Sequence, residues 1–328
     1  MTERDVPVGE LSEGEILARI VARLGPSRAV VGPGDDAAVL ADPGAPIVAT
    51  TDTLVHGPDF RLAWSSGFDL GWKAAAVNLA DVAAMGARPV ALLVALAMPD
   101  DTRVSFVEDL AAGLRAACEA LAPGCAVEGG DLTVSDTLTV AVTALGAARA
   151  TPVLRSGARP GDVVALAGDA GLAARGLAVL FGRFRDAAGS PVGIDDRGLS
   201  ARDREAVRAQ LRPAPPVAAG ERAARAGATA MIDVSDGLAL DASRVAAASG
   251  VTLALDAVAL GDDPATALSG GEDHALLATF PPGVALPEPF RAIGAVAARG
   301  AAPLLVDGDP FEGRAGWDPY RDWDAGLG

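Results

Sequence analysis

The sequence predicts an α/β (α+β) protein of two domains, and three observations carry that expectation. At roughly 150 residues per domain, 328 residues make room for two cores, and half of them are hydrophobic. Strand-like and helix-like segments interleave in both halves. Between the halves, the stretch 154–162, with Arg155-Ser-Gly-Ala-Arg-Pro-Gly-Asp162, has the Gly and Pro density of a junction. Domains are therefore expected over residues 1–150 and 151–328.

Each element has its own signal. Leu11, Ile16, Ile20 and Leu24 fall near helical spacing over residues 10–24, and Gly25-Pro26 stops that helix. Residues 30–40 and 47–51 read as strands joined by turns. Asp69 is placed to cap a helix from Leu70 to about Met85, which Gly86 ends. The near-continuous apolar run 90–98 reads as a buried strand. A helix over 104–121 follows, then strands near 126–127 and 138–145. In the second half, 163–167 reads as a strand and 172–180 as a helix, and the charged stretch 183–210 reads as peripheral. A strand-turn-helix unit covers 228–248, and 253–255 returns to strand.

Charge and composition exclude several classes. Forty-three acidic against 27 basic residues give a net charge of −16, which repels nucleic-acid backbones. Lys73 is the only lysine. Two cysteines (Cys118, Cys125) and two histidines (His56, His274) cannot build a zinc cluster, and no disulfide framework is indicated. Residues 1–10 lack the apolar core of a signal peptide, and the run 90–98 is too short to span a bilayer. A soluble cytoplasmic protein is expected, with no nucleic-acid or membrane partner.

The chemistry-bearing residues are acids at the ends of apolar runs. They fall in Gly32-Pro-Gly-Asp35-Asp36, Thr50-Thr51-Asp52, Glu128-Gly129-Gly130-Asp131, Asp233-Val-Ser235-Asp236-Gly237 and Ser269-Gly-Gly-Glu272-Asp273-His274. Turns and helix caps account for such acids one at a time, with Ser235 or Asp236 as a possible N-cap. Asp81 is different. Between Ala74 and Met85 only Asn78 and Asp81 are polar, so the helix is apolar all round and should be buried. A buried carboxylate then needs a cation, strong donors or a raised pKa; Lys73, two turns earlier, is one candidate partner. The glycines at 129–130 would let a backbone approach a phosphate closely. No GxxxxGK[ST] loop and no kinase-type glycine loop is present, so acidic residues would have to hold a nucleotide through Mg²⁺, for which hard oxygen donors are suitable ligands.

In this order the motifs resemble the thiamine-monophosphate kinase family, within the superfamily that includes aminoimidazole ribonucleotide synthetase. The residues that carry the resemblance are Thr50-Thr-Asp-Thr-Leu-Val55, Asp69-Leu-Gly-Trp-Lys-Ala-Ala-Ala-Val-Asn-Leu-Ala-Asp-Val-Ala-Ala-Met-Gly-Ala87, Gly34-Asp-Asp-Ala-Ala38, Gly129-Gly-Asp131, Arg155-Ser-Gly157, Asp233-Val-Ser-Asp-Gly237, Ser269-Gly-Gly-Glu-Asp273 and Gly316-Trp-Asp318. The resemblance implies a two-domain synthetase-like fold. Its N-terminal domain would bind Mg²⁺ and ATP and dimerise through its sheet, and its C-terminal domain would complete the active site. It implies transfer of the γ-phosphoryl group of ATP to thiamine monophosphate. Several Mg²⁺ ions would sit on Asp36, Thr50, Thr51, Asp52, Asp81, Asp131, Asp233 and Asp236. Gly130, Asp131, Arg155 and Ser235 would meet ATP, and Glu272 and Trp317 the thiamine end. The family often has a histidine after Leu54-Val55; Asp59 holds that substrate-side position here, with His56 three residues earlier. No catalytic base is expected, because the acceptor phosphate is already largely dianionic at pH 7. The alternatives are a synthetase of the same superfamily acting on a purine precursor, or a non-catalytic ion- or nucleotide-binding module.

Overall fold

The structure, a computed structural model, describes residues 5–33, 37–318 and 322. Helix α1 (Glu13–Leu24) opens on a capping box between Ser12 and Glu15. Four strands, β1 (Ile47–Val55), β2 (Arg88–Met98), β3 (Ala126–Val134) and β4 (Thr139–Ala147), form one sheet in the order β1-β4-β2-β3. Helix α2 (Gly67–Ala84) follows β1, and α3 (Val104–Leu121) makes the crossover between the parallel pair β2 and β3.

The remaining strands build a seven-stranded sheet. These are β5 (Val163–Ala167), β6 (Ala230–Val234), β7 (Val251–Leu255), β8 (Ala275–Phe280), β9 (Arg291–Ala298), β10 (Leu304–Val306) and β11 (Asp309–Pro310), in the order β11-β10-β7-β9-β5-β8-β6. Five helices accompany them: α4 (Leu172–Arg183), α5 (Ala201–Leu211), α6 (Val217–Arg225), α7 (Leu238–Ser249) and α8 (Pro264–Ser269).

Helix α2 is the layer that both sheets share. It touches β1, β2 and β4 on one side and α6, β6 and β8 on the other. Accordingly one apolar cluster contains Leu79 and Val82 of α2, Val140 and Val142 of the first sheet, and Met231, Leu276 and Phe280 of the second. A second cluster covers the far face of the larger sheet with α7, and a third joins α4, α5 and Trp64. Against α3 the approach is closer than most side chains allow. A Cβ on Gly71 would run into the Leu110 carbonyl, and one on Gly113 into the Phe68 carbonyl. The face of the smaller sheet away from α2 carries exposed Ile47, Thr51, Thr53 and Asp131.

Several expectations need correction. Ser66, not Asp69, caps α2; Asp69 is the third helical residue and its carboxylate accepts from Ser66 N (3.0 Å), so the helix begins three residues earlier than expected. The stretch 30–40 does not form the expected strand; its described residues include the isolated Val31–Val39 bridge. The stretch 183–210 is not merely peripheral, since α5 buries Ala206, Val207 and Gln210. Helix α6, β8 and β9 add elements beyond those expected.

Gly71→Ala should lower stability by about 2 kcal/mol or more, because the methyl group meets backbone and cannot be accommodated by a side-chain rotation. Urea unfolding checks this, and an unchanged midpoint would contradict the packing described.

Candidate active site

Three of the acidic segments, around Asp52, Asp233–Asp236 and Glu272–His274, meet Asp81 between the two sheets. β1 is an edge strand, paired only with β4. Its alternation turns Thr50 and Asp52 toward α2 and Thr51 away. The unpaired edge of β1 is met by α2. Asp52 N donates to Asn78 Oδ1 (3.1 Å), Asn78 Nδ2 donates to the Ala74 carbonyl (3.0 Å), and Thr50 Oγ1 donates to Asp81 Oδ2 (2.7 Å). Asn78 and Asp81, three apart, therefore share the face of α2 that lies over β1.

The larger sheet contributes two loops from its β6–β8 end. Glu272 N donates to the Ser235 carbonyl (2.8 Å) and His274 N to the Val234 carbonyl (3.0 Å), extending the β6–β8 ladder past its last pair. Gly271 lies so near the Ser235 carbonyl that no side chain would fit there. Glu272 and His274 both adopt left-handed backbone, with φ of 72° and 52°. A non-glycine residue in that region costs of order 1 kcal/mol or more and is held by its surroundings. His274 Nδ1 lies 3.3 Å from Asp233 Oδ2, and its buried Nε2 has no hydrogen-bond partner among the described residues. Neither Ser235 nor Asp236 caps α7; that position is Gly237, and no side chain bonds to it. Asp236 instead pairs with Arg244 (2.6 Å), which also holds Asp241 (2.6 Å).

Burial dominates the electrostatics, and crowding of carboxylates adds to it. Burial pushes the Asp81 carboxyl up to about 7, and repulsion from Asp233 and Asp52 adds to that. Burial raises Asp52 as well; Asp233 and Asp236 reinforce the shift, while His274 and a hydrogen bond with Asp81 oppose it. Asp241 is pushed up to about 6, by burial first and then by Asp233, against the pull of Arg244. Burial alone would lower the His274 imidazole, but its bond to Asp233 and the nearby Glu272 raise it. Side chains from β1, α2, α7 and the 233–236 loop thus converge closely enough to alter one another's ionisation.

Lys73 is not the partner of Asp81. It forms an ion pair with Glu272, and its Nζ lies 3.5 Å from the Asp59 carbonyl. Two turns of helix separate Lys73 from Asp81 along α2, so it reaches a different part of the cleft. Burial acts to raise Glu272, but Lys73 and His274 outweigh it and hold the carboxyl below its ordinary range. Asp59 accepts from Val55 N (2.7 Å); burial raises its carboxyl, with Glu272 adding and Lys73 opposing. Trp317, 38% exposed, donates its backbone N–H to the Asp236 carbonyl (2.9 Å), which fixes the C-terminal segment on the same loop.

Other expected residues lie elsewhere. The Thr51 hydroxyl donates to the Val142 carbonyl (3.0 Å) on the open face of the sheet, because adjacent strand residues point oppositely. Asp131 lies on that face too. The register of β1, β4, β2 and β3 aligns it with Thr53, three strands over, so roughly 14 Å of sheet separates it from β1. Gly130 is explained by the β2 backbone rather than by a phosphate, since a Cβ there would strike the Val94 carbonyl. Exposed Arg155 lies between β4 and β5; its carbonyl accepts from Ser249 Oγ (3.2 Å). His56 is exposed, its ring 5.6 Å from Phe60. Asp36 lies outside the described residues. Asn78, Asp241, Arg244 and Lys73 were not assigned to the site from sequence. Of these only Asn78 carried a signal, as the other polar residue in an apolar helix.

Residues 34–148 match the family model described as AIR synthase related protein, N-terminal domain. A thiamine-monophosphate kinase of Mycobacterium tuberculosis (strain ATCC 25618 / H37Rv) is 40% identical over 333 residues, covering 96% of this chain and 93% of the relative. The chain belongs to the thiamine-monophosphate kinase family. Among solved structures, the thiamine-monophosphate kinase of Stenotrophomonas maltophilia K279a superimposes with a TM-score of 0.77 at 34% identity, covering 92% of this chain and 98% of the other. A second, AaThiL complexed with AMPPCP and TMP, has a TM-score of 0.74 at 30% identity, covering 94% and 97%.

The crowding has a measurable cost. The unfolded chain ionises Asp81 near pH 3.8, whereas the folded protein holds its proton to about 7. Folded stability therefore falls as pH rises through that window and stays reduced above it. Asp81→Asn removes the charge. In chelator it should raise Tm by ~3 °C at pH 8 and leave it nearly unchanged at pH 4. A lower Tm at pH 8 would contradict the repulsion described.

Proposed function

We propose that this chain phosphorylates thiamine monophosphate with ATP, giving thiamine diphosphate and ADP. The observation that carries the reading is the convergence of Asp52, Asp81, Asp233 and Asp236 between the sheets, in a member of a family whose relatives bear that activity's name. A fold that buries mutually repelling carboxylates accepts a stability cost, and a site for a divalent cation accounts for it.

The donor set fits Mg²⁺. Its ligands are hard oxygens, and the Asp81 carboxyl, pushed up to about 7 by burial and then by Asp233 and Asp52, is one that a nearby cation would ionise. Among the described residues no group of three or more His, Cys, Asp or Glu side chains is placed to hold a metal ion. Phosphate and water oxygens would have to complete the ligand shell of a bound Mg²⁺. Asp52, Asp81, Asp233 and Asp236 would hold the ions, with the Thr50 hydroxyl orienting Asp81. Bound there, Mg²⁺ would neutralise the two phosphate chains and let them approach in line.

The protein's own residues do the positioning. His274 orients Asp233, Arg244 orients Asp236, and Asn78 fixes the β1 edge beside Asp52. Proton abstraction is not required of any side chain, since the acceptor is a dianion. Glu272 and Asp59 would face the thiamine end, and the Trp317 ring would stack on the cationic heterocycle. Arg155 and Ser235 would bind the nucleotide. The open face of the four-stranded sheet, with Thr51 and Asp131 on it, would pair with a second copy of the chain. Among the described residues no helix is long and apolar enough to cross a membrane.

ADP release should depend on both thiamine monophosphate and Mg²⁺. Asp81→Asn should reduce it by about 100-fold or more, and Trp317→Ala should raise the KM for thiamine monophosphate about tenfold with the KM for ATP unchanged. Release that ignores thiamine monophosphate but responds to a purine precursor would favour the related synthetase. Sedimentation at twice the chain mass is expected for the dimer; a monomer at micromolar concentration would remove that part of the reading.

A further inference from the structure

We propose that Lys73 is a positioning residue for the organic end of the substrate: its ammonium fixes the Glu272 carboxylate across the cleft, leaving the rest of that carboxylate to receive a cationic or N–H-donating heterocycle. This rests on the kinase reading above and deepens it.

Four observations support the assignment. Lys73 is the only lysine among 27 basic residues, and it stands where a compact ammonium rather than a planar guanidinium fits between two acidic segments. Its side chain is 5% exposed, whereas that of Glu272 is 41% exposed, so the pair is anchored at the amine and open at the carboxylate. The ion pair crosses from α2, on the first sheet, to the loop before β8, on the second. Finally, Glu272 holds a left-handed backbone (φ 72°) whose N–H is committed to the Ser235 carbonyl, so the side chain leaves the loop in one direction toward Lys73.

The neighbours explain why the amine is needed. Asp59, Glu272 and His274 all face it, and Asp59 and Glu272 repel each other. The ammonium lies between the Glu272 carboxylate and the Asp59 carbonyl, tying the segment after β1 to the 270–274 loop. Without the amine, two adjacent carboxylates are left unbalanced and Glu272 turns into solvent, away from the place where a heterocycle would meet it.

The test is steady-state kinetics with calorimetric binding of thiamine monophosphate, on Lys73→Met, Glu272→Gln and the double variant. Lys73→Met should raise the KM for thiamine monophosphate about tenfold and leave the KM for ATP within about twofold. The double variant should match Glu272→Gln alone, because a residue acting through another adds nothing once that one is gone. The double variant buries no unpaired charge, so it carries the comparison if Lys73→Met does not fold. An unchanged KM, equal rises for both substrates, or a further tenfold loss in the double variant over Glu272→Gln would overturn the proposal. A wild-type protein that neither binds nor phosphorylates thiamine monophosphate would overturn the kinase reading itself. Wild-type turnover with an unaffected Lys73→Met would overturn this assignment alone.

Discussion

Like charges confined between two apolar sheets are the constraint on which the rest of this molecule depends. Asp52, Asp81, Asp233, Asp236 and Asp241 come from four chain segments, and burial together with the charge of Asp233 raises the proton affinity of Asp52, Asp81 and Asp241. Compensation is uneven. Arg244 answers for Asp236 and Asp241, and His274 for Asp233. Asp81 has a threonine hydroxyl, a shared hydrogen bond with Asp52 and a weak pull from His274, and His274 is the main counterweight at Asp52. The least compensated pair lies where β1 meets α2, and a divalent ion would restore most there. Stability is given up at that point in exchange for a place to bring two phosphates together.

Secondary elements near the site serve this arrangement. The β1 edge is left without a strand partner so that α2 can lay Asn78 and Asp81 over it. The 270–274 loop crosses the 233–236 loop through paired backbone bonds, at the expense of two left-handed residues. Chain direction is thus fixed by main-chain bonding, and each acidic side chain inherits its position from a backbone that is itself tied down.

Much of this was legible in the chain. Asp81 stood out because an apolar helix leaves a carboxylate no exposed side, and the ordered set of acidic turns was sufficient to mark the family. What escaped were relations across the fold. The partner of Lys73 is 199 positions away, beyond the reach of periodicity. Ser66 was passed over in favour of Asp69 because both can cap, and only packing decides which turn is first. The grouping of Thr50, Thr51 and Asp52 as neighbours in function overlooked strand alternation, which puts Thr51 on the other face. Asp131 lay in the same blind spot: sheet order, not spacing, determines how far it is from β1.

The double-sided burial of α2 has a consequence for how the molecule holds together. The smaller sheet loses its cover if α2 leaves, and the larger sheet loses part of its own, since Met231, Leu276 and Phe280 share a cluster with Leu79 and Val82. Neither half owns a complete interior. Severing the chain near residue 150 would bare alanines and leucines on both fragments, so loss of structure is collective, with one cooperative transition in place of two.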